Sequence, residues 1–411
     1  MPNQVPTSDL ITKAAGYGYQ NNLGFAKKIN REYSDEFLNK EFTPGDTVKA
    51  RMPTLWSVSE GQAFQEQAIY ETFVPITVEK QFHVDMGFST FSQTFDIREI
   101  RERYIDPQME ILANKVDMYA LAKCTLDVYS IVGTPGTTPT SPLTFLQAGV
   151  KLTNQAVGKS GRVAVLSPLT NATLSTAGAT YLNPSGAISE AYRSGEQPDN
   201  SFAVQSWNED PNVLSYLTGT FTASTPIVNG ANQTGSSLIT SGWASGASSL
   251  ALGDTFTIAG VYTVNPMSKN NTAQLQDFVV TAAISDTAGA MTISISPSII
   301  TSGSLQTVSN SPAASSAITV RGATSAVSGT LAATQTVQNL VFNKNFATLV
   351  TVDLMKPNGG AEVGRISSKE MKLAMRIAEQ WDIRTDKNLT RVDVAVGAKT
   401  LQARLAARIA A

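Results

Sequence analysis

Between about Ser215 and Thr334 the chain almost stops using charge: only Asp254, Lys269, Asp277, Asp286 and Arg321 interrupt a run of Ser, Thr, Gly, Ala, Val and Ile. On both sides Lys, Arg, Asp and Glu return at ordinary density. A change this abrupt is expected where one folding unit is inserted inside another. Within the block the apolar period is two. Phe256 and Ile258 alternate with Thr until Ala259-Gly260 breaks the run ahead of Val261–Val264. Phe278, Val280, Ala282 and Ile284 make a second alternation. After the turn Asp286-Thr287-Ala288-Gly289, Met291, Ile293 and Ile295 make a third, and Ile318 and Val320 a fourth. One apolar face and one Ser/Thr face per strand predict a small antiparallel barrel or sandwich.

A length of 411 residues favours two or three structural units. The net charge of −2 and pI near 5.7 argue against an electrostatic grip on nucleic acid. No run of eighteen apolar residues occurs, so no membrane span is expected. The opening Met1-Pro2-Asn3-Gln4-Val5-Pro6 lacks the basic and apolar regions of a signal peptide. One cysteine, Cys124, excludes an intrachain disulfide, fits a reducing compartment and reads as an apolar filler on a helix. The single histidine, His83, lies in the alternating run Lys80-Gln81-Phe82-His83-Val84-Asp85-Met86 and reads as a structural strand-face residue. With only His83 and Cys124, the chain has too few His and Cys ligands for the usual zinc site. Phosphate-binding, dinucleotide-binding and nucleophile-elbow motifs are missing from the sequence. Asn-x-Ser/Thr matches at Asn171, Asn232, Asn270 and Asn388 are expected by chance in a Thr-rich chain. No catalytic, cofactor-binding or metal-binding residue is assigned.

The first forty residues read as an arm, with short helical patterns around Asp9–Ala15 and Leu23–Phe37. Pro44–Pro53 forms a turn and a strand, Ser57–Gln67 a polar tip, and Phe73–Phe82 a returning strand. Such an extended hairpin needs a partner to be stable in water. Asp106-Pro107 opens the clearest helix, with Met109, Leu112, Val116 and Tyr119 along one stripe, running past Cys124 toward Tyr129 before Gly133-Thr134-Pro135-Gly136 stops it. A helix near Thr144–Ala156, a buried strand Val163–Leu166 followed by Ser167-Pro168, and a short helix at Ile188–Tyr192 come next. Leu349–Val352 resumes the mixed pattern beyond the neutral block, so an α+β unit split by an insertion is expected. Leu373, Met375 and Ile377, then Val392, Val394 and Val396, predict a hairpin ending near Trp381 and Ile383. The stripe Leu401, Leu405, Ile409 reads either as an amphipathic tail packed on its own domain or as an intersubunit contact.

Several segments carry a resemblance. Gly45-Asp46-Thr47-Val48-x-x-Arg51-x-Pro53 resembles the start of an E-loop. Ile76-Thr77-Val78-x-Lys80-x-Phe82 and Met86-Gly87-Phe88-Ser89 resemble its return into a peripheral domain. Gly253-Asp254-Thr255-Phe256-Thr257-Ile258-Ala259-Gly260-Val261 is similar to the opening of an inserted domain. Asn339-Leu340-x-Phe342-x-Lys344 resembles re-entry into an axial domain, and Arg391-Val392-Asp393-Val394-x-x-Gly397-x-Lys399-Thr400-Leu401 the closing peripheral strand. Together they resemble the major capsid proteins of tailed phages with the Hong Kong 97-type fold, and more narrowly the coat proteins of Salmonella-type short-tailed phages, which carry an inserted β-barrel I-domain. Ala403-Arg404 departs from that pattern, where Pro-Glu is expected.

The resemblance implies an α+β capsid fold with an N-terminal arm over 1–40, an E-loop hairpin over 41–80 and a peripheral domain with spine helix over 81–134. An axial domain over 135–216 and 335–370 is interrupted by the inserted barrel over 217–334, and 371–411 supplies closing peripheral strands. It implies a structural protein of the virion with no cofactor. Copies of the chain assemble into pentamers and hexamers of an icosahedral shell in the host cytoplasm, with a scaffolding protein and a portal as partners and double-stranded DNA enclosed. Candidate subunit-interface residues are Arg51, Glu60 and Glu66 on the hairpin, each weighed against a simple solvated loop, and Arg98, Arg101 and Arg103 before the spine helix, weighed against a solvated helix entry. The inserted domain is expected to steady subunit folding and help set shell geometry. A tail-tube or decoration protein, a β-rich surface adhesin and, more distantly, a carboxylate-dependent hydrolase are the alternative readings.

Overall fold

The computed structural model describes residues 19, 23–33, 47–56, 58, 61–62, 64, 66, 71–89, 106–181, 197–325, 328–356, 362–368, 373–385 and 387–411. The expected helices at Asp9–Ala15 and Ile188–Tyr192 lie outside these residues. The chain divides into two compact units: residues 1–51, 73–123 and 347–401 form one, and residues 52–72, 124–346 and 402–411 the other.

The first unit is an antiparallel sheet with a long helix. A single helical turn, α1 (Phe25–Lys28), is all that is described of the pattern expected at Leu23–Phe37. Strands β1 (Thr47–Arg51) and β2 (Phe73–Thr77) pair antiparallel, as the hairpin pattern predicts. β3 (Lys80–Ser89) leads toward α2 (Asp106–Thr125), a helix of 20 residues, about 30 Å long. Met109, Leu112, Ala113, Val116 and Ala120 form its buried stripe. Tyr119 completes the expected stripe only in part, its ring meeting Phe82 edge-on at 5.8 Å. The buried Asp117 carboxylate on α2 accepts the Ala26 amide at 2.8 Å and the Gly24 amide at 2.5 Å, satisfying helix-start donors of α1. The sheet runs β19 (Ala347–Val352), β22 (Lys387–Thr400), β21 (Leu373–Asp382), β20 (Glu362–Ser368), and β3 also pairs with the long β22. The β21–β22 hairpin is the one the Leu373 and Val392 alternations predict.

The second unit holds two apolar cores. One belongs to a mixed sheet in the order β4 (Ile131–Gly133), β23 (Ala406–Ala410), β18 (Gln335–Asn343), β5 (Arg162–Leu166), β6 (Ser206–Glu209), with β7 (Ser215–Leu217) also paired to β18. Helices α3 (Pro142–Asn154) and α4 (Pro168–Tyr181) accompany it. The start of α3 is two residues earlier than the periodicity predicts, because Ser141 caps the Leu143 amide and Pro142 occupies the first turn. The loop that follows is tied back to it by the buried Arg162 guanidinium, which donates to the Gly149 carbonyl of α3 and to the Val157 and Gly158 carbonyls beyond it, at 2.7–3.1 Å. α4 was missed in the sequence: Ser167-Pro168 reads as the end of β5 but is also a helix start, with Ser167 Oγ 3.4 Å from the Thr170 amide.

Two segment assignments change. Residues 335–370 divide, β18 pairing with β5 and β23 in this unit while β19 pairs with β22 in the other. The Leu401, Leu405, Ile409 stripe is not an amphipathic tail. After a 3-10 turn at Ala403–Leu405, Ala406–Ala410 is a wholly buried strand between β4 and β18, where small side chains fit and helical period has no meaning.

The other core lies wholly within the neutral block. β16 (Ile318–Val320), β12 (Thr255–Val264), β13 (Asn271–Val280), β15 (Ala290–Ile299), β10 (Gly235–Ser241) and β9 (Ile227–Val228) form one antiparallel sheet. An Ile227–Ala317 bridge joins its two edges, so the sheet nearly closes into a barrel. Two short pairs, β8 (Phe221–Ser224) with β17 (Gly329–Leu331) and β11 (Ser249–Leu250) with β14 (Ile284–Ser285), flank it. The Ala259-Gly260 break is a bulge in β12: the register shifts between Thr257 and Tyr262, and Gly260 takes φ +82°. The expected 278–284 strand divides, since β13 ends at Val280 and Ile284 pairs separately with Leu250.

Candidate subunit interface

The hairpin places apolar surface where the sequence reading saw only a polar tip. Val48, Ala50 and Ile76 anchor the β1–β2 pair through their buried faces, and the ladder continues one step as the Met52 amide donates to the Thr72 carbonyl at 2.9 Å. Beyond it Trp56 is 54% exposed, and Val58 and Phe64 are each 91% exposed. Glu60, Gly61 and Glu66 dominate a reading of this stretch by composition. Nothing periodic marks Val58 or Phe64, so their exposure had to come from the structure. Exposure this high makes Trp56, Val58 and Phe64 candidate interface residues.

Of the proposed interface residues, Arg51 is exposed on β1 opposite Phe73, and Glu66 is exposed on the tip. Beside Arg51 on the same strand, Lys49 Nζ lies 4.7 Å from the Phe73 ring centroid. Glu60, Arg98, Arg101 and Arg103 lie outside the described residues. The outer side of α2 adds Ile111, 64% exposed, and Met118 seven residues on, so both lie on one helix face. The end of the β21–β22 hairpin adds exposed Trp381, Ile383 and Leu389.

Charge inside the first unit braces the sheet. Asp393 on β22 has a fully buried side chain. It accepts from Arg376 Nη2 at 2.6 Å and Nε at 3.2 Å, Arg391 Nε at 2.7 Å, and Gln81 Nε2 at 3.1 Å. Burial pushes the Asp393 carboxyl up, but these hydrogen bonds outweigh it and hold the group below the usual carboxylate range. Three strands, β3, β21 and β22, thereby share one carboxylate. At the foot of the hairpin Lys123 Nζ pairs with Glu79 Oε2 at 2.9 Å, which lowers the Glu79 pKa. His83 faces Asp85 on β3, with Nδ1 3.0 Å from Oδ2, on the half-exposed side of the strand. Cys124 is buried in the last turn of α2. Among the described residues, no three His, Cys, Asp or Glu side chains gather as a metal site, and no helix is long and apolar enough to cross a membrane.

The described residues thus hold an extended hairpin pair, a long helix, and a β-barrel unit whose chain leaves from and returns to a mixed sheet. The family model described as P22 coat protein, gene protein 5, matches residues 4–406, and the chain belongs to that family. It is a major capsid protein that forms the phage head shell, and its place is the virion. Solved structures with a similar course include that of Mycobacterium phage Che8, 12% identical with a TM-score of 0.46 over 94% of this chain and 90% of that one. The capsid structure of the cyanophage P-SCSP1u is 10% identical with a TM-score of 0.45, over 90% and 84%. The CUS-3 coat protein I-domain is 26% identical with a TM-score of 0.19, over 25% of this chain and 97% of that one. No curated protein sequence matches the chain.

Proposed function

We propose that copies of this chain assemble into pentamers and hexamers that close into an icosahedral shell around double-stranded DNA. The exposed Trp56, Val58 and Phe64 on the hairpin tip carry this reading, because in an isolated subunit they would face water. In the shell the tip overlaps a neighbouring copy, with Arg51, Glu60 and Glu66 at its rim and Arg98, Arg101 and Arg103 meeting acidic surface across capsomers. Exposed ion pairs of this sort contribute only ~0–1 kcal/mol each, so apolar burial supplies most of the affinity and the charges set register. A specific contact needs roughly 1,000 Å² or more of buried area, which an extended hairpin reaches with few residues. A heterologous contact repeated around an axis closes a ring. The protein performs no catalysis. Assembly takes place in the host cytoplasm with a scaffolding protein and a portal, and the DNA is held by enclosure rather than by a basic lining.

The inserted barrel steadies the subunit and helps set shell geometry, with its own core supporting that role. Negative-stain microscopy of the purified chain tests the whole reading. Closed particles tens of nanometres across are expected. Tubes would instead favour a tail-tube protein, and discrete small oligomers a decoration protein. Deleting about Thr220–Thr334 should lower the yield of shells or alter their size, and wild-type shells in wild-type yield would remove the barrel from the assembly role.

A further inference from the structure

The two chain crossings into the barrel lie side by side. The Thr218 amide donates to the Thr334 carbonyl at 3.1 Å, and the Thr334 amide donates to Thr218 Oγ1 at 3.0 Å. Two adjacent covalent links make a single pivot. The buried Arg408 of β23 reinforces that same pivot: its Nη2 donates to the Gly253 carbonyl at 2.9 Å, next to Asp254, whose carboxylate accepts the Gly219 amide at 2.9 Å. A body held at one pivot can still swing.

A second contact lies elsewhere on the barrel. Phe278 and Val280 of β13 enter the barrel core, so Asp277 lies on the opposite face. Its side chain is nonetheless only 6% exposed, because it is buried against the mixed sheet and α3. Lys151 Nζ of α3 donates to Asp277 Oδ2, and the Ile131 amide of β4 lies 3.4 Å from the same oxygen. Arg321, from the barrel, lies 3.5 Å from Oδ1. Lys151 and Arg321 also converge on the Ile131 carbonyl, at 2.8 and 3.4 Å. Barrel and host sheet thus meet in one knot of three charges and the backbone amide and carbonyl of one residue, Ile131. Burial pushes the Lys151 ammonium pKa down, and Asp277 opposes the fall. An open groove of about 480 Å³ runs alongside, with Gln147 and Val150 of α3 on one wall and Gln274 and Leu275 of β13 on the other.

We propose that Asp277 is a positioning residue: through Lys151 and the Ile131 backbone amide it fixes the angle of the inserted barrel on its host sheet, so that every subunit presents the barrel in one orientation. The proposal rests on the shell reading for its purpose but not for its test. The neutral block explains why the residue stands out: where charge is nearly eliminated, Asp277 and Arg321 remain at the seam.

Hydrogen exchange on the full-length chain reads the knot directly, since the Ile131 amide faces Asp277. In Asp277→Asn, exchange over 131–133 should rise at least about tenfold while β12 and β15 stay protected. Lys151→Met, which leaves Arg321 beside Asp277, should give a smaller rise in the same segment. Cysteines at Gln147 and Gln274, bridged across the groove in the Asp277→Asn background, should restore protection over 131–133. Shells of the bridged variant should then match wild-type in diameter, and those of the unbridged variant should spread in diameter. Unchanged exchange over 131–133 overturns the proposal. So does an equal rise through β12, β13 and β15, which would make Asp277 a folding residue, or a bridge that restores nothing. Failure of the wild-type chain to form shells would remove the shell reading and leave the exchange result standing.

Discussion

Asp393 offers the sharpest test of how the first unit is held together. Replacing it with Ala removes the carboxylate that Arg376, Arg391 and Gln81 share and leaves Arg376, only 17% exposed, without its anion. Breaking a buried pair from one side costs about 3–5 kcal/mol. The lower end applies here, because Arg376 keeps a 2.6 Å bond to the Met355 carbonyl, and the half-exposed Arg391 has Asp85 at 3.7 Å. About 3 kcal/mol is therefore expected from urea unfolding of the unassembled subunit near neutral pH. Because the Asp393 pKa is depressed in the fold, its stabilisation is present above the ordinary aspartate pKa of about 3.9 and disappears as pH falls through the lower folded value. The gap between wild type and Asp393→Ala should thus narrow below about pH 4. A difference under about 0.5 kcal/mol near pH 7, or one that widens in acid, would refute the argument.

Other outcomes follow from the same contacts. Phe64→Ser should leave the thermal midpoint of the free subunit unchanged while reducing shell yield by light scattering, since its ring touches mainly water in the isolated chain. Gly253→Ala should destabilise by about 1–3 kcal/mol, because Gly253 holds φ +94° and a Cβ there would lie 2.5 Å from Leu126 Cδ2, as chemical denaturation will report. Ile409→Asp, in the middle of β23, should abolish soluble folded protein, because a carboxylate would enter a fully buried site between β18 and β4.

The hairpins, the spine helix and the barrel strands were legible because each buries one face, so its period appears in the residues: Met109 to Val116 for α2, and Met291 to Ile295 for β15. Legibility failed where both faces are covered. β23 reads Ala406-Ala407-Arg408-Ile409-Ala410, and neither period identifies a strand whose every residue is buried. The last five residues of β13 are likewise all buried, one side against the barrel core and the other at the Lys151 seam, so the alternation was extended past its true end at Val280. Ser167-Pro168 failed differently, since the same dipeptide ends a strand and begins a helix. The proposed interface was the least visible of all: Arg51 and Glu66 invite attention through charge, whereas Val58 and Phe64 are ordinary residues made notable only by their exposure.

The order of the mixed sheet has a kinetic consequence. β4 has β23 as its neighbour, a strand translated roughly 270 residues later, which at typical synthesis rates is a wait of roughly 15–50 s. During that interval the edge of β4 lacks its neighbour and can pair with whatever strand arrives first, and β18, made much later, waits only about 60 residues for β23. A polypeptide designed to join its siblings is thus most vulnerable to joining them wrongly before its own sheet has closed, and slower elongation should lengthen the period of risk.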